Sequence, residues 1–148
     1  MSLASLKALY SRDLNKLKLE IESYQNEHNL WLIEKNILNS AGNLCLHLAG
    51  NLNTYIGKEL GHTGYVRDRD LEFSLKNVPR TELIRQIDQV TITVSETLNQ
   101  LKEEDLQKIY PVLARPERES VEYMLIHLAM HLSYHLGQIN YHRRLLDV

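Results

Sequence analysis

A chain of 148 residues, 43% of them hydrophobic, has the size of one ordinary domain and can bury a substantial core without covalent staples. Its 17 basic and 19 acidic residues leave a formal net charge of −2, which gives no general pull toward phosphate backbones or anionic lipid, so neither nucleic acid nor membrane is an expected partner. The lone cysteine, Cys45, excludes an internal disulfide, and no apolar run is long enough for a signal peptide or a membrane span, so the expected location is the cytoplasm.

Glycine and proline are scarce, and apolar residues recur at threes and fours, which predicts an all-α domain over residues 1–148. In the first stretch Leu3, Leu6, Tyr10, Leu14, Leu17, Ile21 and Tyr24 form a heptad-like seam, predicting a helix from about Ser2 to Gln25. The second takes Asn39 or Ser40 as its N-cap, carries Leu44, His47, Leu48, Asn51, Leu52, Tyr55 and Ile56, and is expected to end at Gly57, Gly61 and Gly64. A third begins near Pro79 and places Leu83, Ile87, Val90, Val94, Leu98 and Leu101 on one stripe. The fourth opens after Pro116 with Ser120 as cap and runs through Met124, Leu128, His131, Leu132, His135, Leu136 and Ile139 to Leu146. Four such helices with unequal connections predict a four-helix bundle containing at least one crossover. The segment between the second and third helices, about 20 residues without clear periodicity, reads as functional or mobile.

His131 and His135 carry the chemistry of this pattern. Four residues apart on a helix, their imidazoles stand one turn from each other on the same face, and burying the neighbouring leucines draws both into the core. Buried imidazoles need partners, and an ion satisfies two at once. Three ligands from one straight helix cannot surround an ion, so a facing helix has to contribute, which favours His47 over His127 and His142 as the third. His127 is then read as a core residue or a support to the site, and His142 as a solvent-side residue beside Arg143 and Arg144. Three neutral imidazoles suit Zn²⁺, Ni²⁺ or Fe²⁺ and leave coordination positions open for reaction.

Other candidates are weaker. Glu59 and His62 have the spacing of half a di-iron carboxylate site, but no second copy exists and the nearby glycines place them at a helix end. His28 and His62 read as loop residues. Cys45 points about 200° away from His47 on a helix and reads as core. Asn51, one turn after His47, is a candidate to orient a ligand or a water.

The stretches NLCLHLAGN, HLSYHLGQI and RDRDLEF, the last spanning Arg67 to Phe73, together resemble the DinB-like superfamily. Its members are metal-binding four-helix bundles that include bacillithiol- and mycothiol-dependent S-transferases and a maleylpyruvate isomerase. The resemblance implies one divalent metal at His47, His131 and His135, and often a homodimer. It also sets Gln138 beside the site through its His-x-Gly-Gln pattern. The arginines and acids of Arg67, Asp68, Arg69 and Asp70 read either as holding an anionic substrate at the mouth or as capping and bridging helices. The expected function is that of a divalent-metal-binding protein, a thiol S-transferase whose partners are a small-molecule substrate and a low-molecular-weight thiol. The alternatives are a metal-dependent hydrolase and a non-catalytic metal-binding bundle for sensing or assembly.

Overall fold

The computed structural model describes residues 2–148, which are helical, with no strand among them. Helix α1 spans Leu3–Ser23, and its N-terminus is capped by Ser2, whose hydroxyl accepts from the Ser5 amide. Leu3, Leu6, Tyr10, Leu14, Leu17 and Ile21 are buried, the seam expected from the sequence. A 3-10 turn, Glu27–Trp31, lies on the way to α2, Ala41–Leu52. Ser40 caps α2, its hydroxyl accepting from the Asn43 amide.

Every residue of α2 is buried, so its polar side chains must find partners inside the protein. The Asn43 amide group meets this need by donating to the carbonyls of Glu72 and Leu75 at 2.9 and 2.8 Å, which ties a later segment onto α2. That segment is α3, Arg69–Ser74, capped by the Asp68 carboxylate. The aperiodic stretch between the second and third predicted helices therefore contains a short ordered helix, which the sequence reading did not anticipate.

The second predicted helix ends across the expected glycines. Beyond Leu52 the chain continues as a π-helical segment, Asn53–Lys58, before turning at His62 and Gly64, both of positive φ. Gly57 lies inside this run for a packing reason: a Cβ there would meet Thr93 Cγ2 at 2.9 Å. Helix α4, Arg80–Gln100, follows Pro79 and buries Leu83, Ile87, Val90, Val94, Thr97 and Leu98. Helix α5, Val121–Leu146, is capped by Ser120 and buries Met124, Leu125, Leu128, Leu132, Leu136 and Ile139.

Helices α1 and α2 each pack against both α4 and α5, and the core lies between them. Each leucine fully buried there contributes about 1.5–3 kcal/mol of apolar transfer free energy. Tyrosine hydroxyls tie the outer pieces to this core: Tyr10 Oη donates to the Leu125 carbonyl at 2.5 Å, and Tyr110 Oη donates to the Tyr55 carbonyl at 2.6 Å. The second bond, with the bridge between Ile109 and Ser120, fixes the α4–α5 connection near the end of α2. Among the described residues no helix is long and apolar enough to cross a membrane.

Candidate metal centre

His47 on α2 and His131 and His135 on α5 each present one nitrogen such that all three lie within 4.8 Å of one another. His131 Nε2 is 3.2 Å from His47 Nε2 and 3.1 Å from His135 Nε2. The tautomers can be read from the far sides of the rings. His47 Nδ1 lies 3.0 Å from Glu72 Oε1, an acceptor only, so Nδ1 carries the proton and Nε2 a lone pair. His135 Nδ1 lies 2.7 Å from Gln138 Oε1, which assigns the same tautomer.

Two lone pairs therefore point at His131 Nε2, which has at most one proton to give. Hydrogen bonding alone leaves one nitrogen facing another lone pair, whereas a cation between them satisfies all three. The two separations from His131 Nε2 agree with this: metal–nitrogen bonds of about 2.0–2.1 Å at octahedral to tetrahedral angles separate neighbouring nitrogens by about 2.9–3.4 Å. Three neutral imidazoles fit a borderline divalent ion, and the residues present fit the group the sequence implied.

The electrostatics keep the two α5 rings neutral. Burial pushes His131 down to about 4, and the neighbouring imidazoles and Arg67 act in the same direction. Burial also lowers His135 and outweighs the opposing hydrogen bond to Gln138.

Glu72 is the residue the sequence reading missed. It is buried, and burial alone would raise its pKa, but hydrogen bonds from His47 and Arg67 and the Arg67 charge together hold it below the ordinary value. Arg67 Nε donates to Oε2 at 2.8 Å, and its second nitrogen to Oε1 at 3.0 Å, a bidentate grip. The result is a guanidinium–carboxylate–imidazole chain that fixes the His47 ring. Gly50 makes room for it, since a Cβ there would lie 2.6 Å from Glu72 Cδ. The only sequence signals were the RDRDLEF stretch and a glycine one turn after Leu46.

Gln138 lies against His135, and Asn51 is buried one turn after His47. Arg67 turns inward to Glu72, whereas Arg69 is exposed and stacks over Phe73 at 5.2 Å. His127 is half-buried and stacks on Tyr123. His142 is a correction: it is buried, not solvent-side, with Nδ1 2.7 Å from Tyr24 Oη and Nε2 3.0 Å from the Leu32 carbonyl. Adjacency to two arginines is a poor guide on a helix, where the next residue points 100° away. Cys45 is core as expected, and burial pushes its thiol up to about 12. His28 and His62 are exposed.

Two clefts flank the histidines. One, of about 220 Å³, borders His47 and His131 and is lined by Asn51, Arg69, Arg115 and His127. The other, about 510 Å³, borders His135 and is walled mainly by Leu38, Tyr134, Tyr141 and Leu145. A family model described as a protein of unknown function, DUF1572, matches residues 4–147. No curated protein matches the chain.

Proposed function

We propose, from the premise that the chain belongs to the DUF1572 family, that its function rests on a divalent metal held by His47, His131 and His135 and that the protein is a metal-dependent enzyme of the thiol S-transferase type. The observation that carries this is the convergence of three lone-pair nitrogens on one point, open to a cleft on either side. Zn²⁺, Ni²⁺ and Fe²⁺ are the candidate ions. A bound ion would supply Lewis acidity, keeping a thiol that shares the site deprotonated near neutral pH.

The chain's own residues prepare that chemistry. Glu72 and Gln138 hold the His47 and His135 protons on Nδ1, so both Nε2 atoms face the centre. Arg67 keeps Glu72 ionised, and burial keeps His131 neutral. The choice of transferase over hydrolase is supported by the disposition of Glu72: both its oxygens are committed to His47 and Arg67, so it is not free to take a proton from water. The apolar core is large enough to fold without an ion, which weighs against a purely structural metal.

The packing of α1 and α2 on both α4 and α5 supports reading the chain as one four-helix bundle with a crossover connection, DinB-like. Exposed Met130, Tyr134, Tyr141 and Leu145 along α5 support a homodimer, which sedimentation velocity tests.

Elemental mass spectrometry on untagged wild type, His47→Ala and His131→Ala tests the centre. Near-stoichiometric metal in the wild type and loss in both variants is the expected result, followed by metal-dependent thiol transfer to electrophiles. A wild type that purifies without metal and refuses added Zn²⁺, Ni²⁺ and Fe²⁺ would refute it.

A further inference from the structure

Buried polar atoms in folded proteins are almost always hydrogen-bonded, so the few that are not point to something the fold is built to meet. Among the described residues three buried side-chain atoms lack a partner: Asn51 Oδ1, Arg115 Nε and His131 Nδ1. All three residues line the same cleft of about 220 Å³. Asn51 is more than nine-tenths buried, so its orphaned oxygen is not met by bulk solvent.

The charges around the cleft are arranged to keep donors unspent. Arg67 is neutralised by Glu72, but Arg69 forms no ion pair among the described residues, and the nearest carboxylate oxygen to Arg115 Nε, from Glu119, is 3.9 Å away. Both guanidiniums are held by their faces: Arg69 lies over Phe73 at 5.2 Å, and Arg115, only loosely paired with Glu119, lies over Tyr123 at 5.4 Å. Stacking fixes a guanidinium while leaving its in-plane N–H groups available, which is how arginine is set up to grip a planar oxyanion. Phe73 packs on His47 and Tyr123 stacks on His127, so the two arginines are anchored to rings at the site.

We propose that this cleft is a carboxylate-binding subsite, in which Arg69 and Arg115 hold the carboxylate of a small organic acid and Asn51 accepts a hydrogen bond from a hydroxyl or amine on the same molecule. The inference deepens the reading of the three-histidine centre as catalytic by naming the substrate class, since the bound acid lies directly beside His131. Two arginines with a single positive charge each, one of them near Glu119, match a monoanion better than a phosphate dianion. Asn51 Oδ1 can only accept, so the acid must also carry a donor.

The test is titration calorimetry on metal-stripped and zinc-loaded protein with mandelate, mandelamide, phenylacetate and inorganic phosphate. Mandelate is expected to bind the metal-stripped protein at least tenfold more tightly than mandelamide, and to lose about tenfold to hundredfold in Arg69→Gln and in Arg115→Gln. Arg85→Gln, on the exposed face of α4, should change nothing. The advantage of mandelate over phenylacetate should vanish in Asn51→Leu. Equal binding of mandelate and mandelamide, phosphate binding more tightly than mandelate, or undiminished binding in both arginine variants would each overturn the subsite. Mandelate binding that requires zinc would also overturn it, because the acid would then be chelating the ion, and would leave the metal centre standing. Conversely, a wild type that takes up no metal yet binds mandelate through the arginines would retain the subsite and remove the reading it rests on.

Discussion

Glu72 Oε1 lies 3.0 Å from His47 Nδ1 while Arg67 grips both carboxylate oxygens, so the orientation of one imidazole depends on a residue 25 positions later in the chain. Glu72→Gln keeps the size of the side chain but removes the charge that holds the Nδ1 proton and balances Arg67. Zinc affinity should fall about tenfold to hundredfold, the usual cost of losing such an outer partner. Competition against a chromophoric chelator measures it, and affinity within twofold of wild type would show that His47 needs no such support.

Gly50 offers the same question in steric form. Alanine favours a helix interior over glycine by about 1 kcal/mol, so on propensity alone Gly50→Ala should stabilise α2. Its Cβ would instead overlap the Glu72 carboxylate and push it off His47. The expected outcome is a lower melting temperature together with zinc affinity reduced toward the Glu72→Gln level. A variant that melts higher and binds zinc normally would mean that the carboxylate has another resting place.

Gln138 is exposed, so water can replace its carbonyl when the side chain is cut back. Gln138→Ala should therefore weaken zinc binding by less than tenfold, well short of the effect at Glu72. If the two variants proved equal, burial would not be what sets the strength of these supports.

Much of this arrangement is written locally and some of it is not. Ser2, Ser40 and Ser120 are all caps, and the buried stripes of α1, α4 and α5 follow the spacing of their leucines, because caps and periodicity depend only on near neighbours. The His131 and His135 pair is legible for the same reason, and a facing helix for His47 follows from the geometry of coordination. Helix α3 is not legible, since six residues are too few to show a period. The role of Glu72 depends on where α3 docks, which Asn43 decides from another helix. The partners of His142, Tyr24 and the Leu32 carbonyl, lie more than a hundred residues away, so nothing around His142 in the sequence announces its burial.

His142 should make the metal-free protein acid-sensitive. The Leu32 carbonyl takes the Nε2 proton, which leaves Nδ1 as the acceptor for the Tyr24 hydroxyl, so the neutral ring is fully satisfied. Burial lowers its pKa and outweighs the carbonyl's opposing effect, so the folded state takes up the proton at a lower pH than the unfolded chain does. Stability is then fully present above the unfolded value of about 6.5 and is lost as pH falls from there through the lowered folded value. His131 and His135 shift in the same direction and add to the slope when no metal is bound. Urea denaturation of metal-stripped protein between pH 7.5 and 5 should show this decline, and His142→Gln should show a shallower one by up to one proton. The variant should also be weaker by about 1–3 kcal/mol at pH 7.5, because the Tyr24 hydroxyl and the Leu32 carbonyl lose well-placed partners. An unchanged slope in His142→Gln would assign the acid sensitivity to the histidines of the metal centre alone.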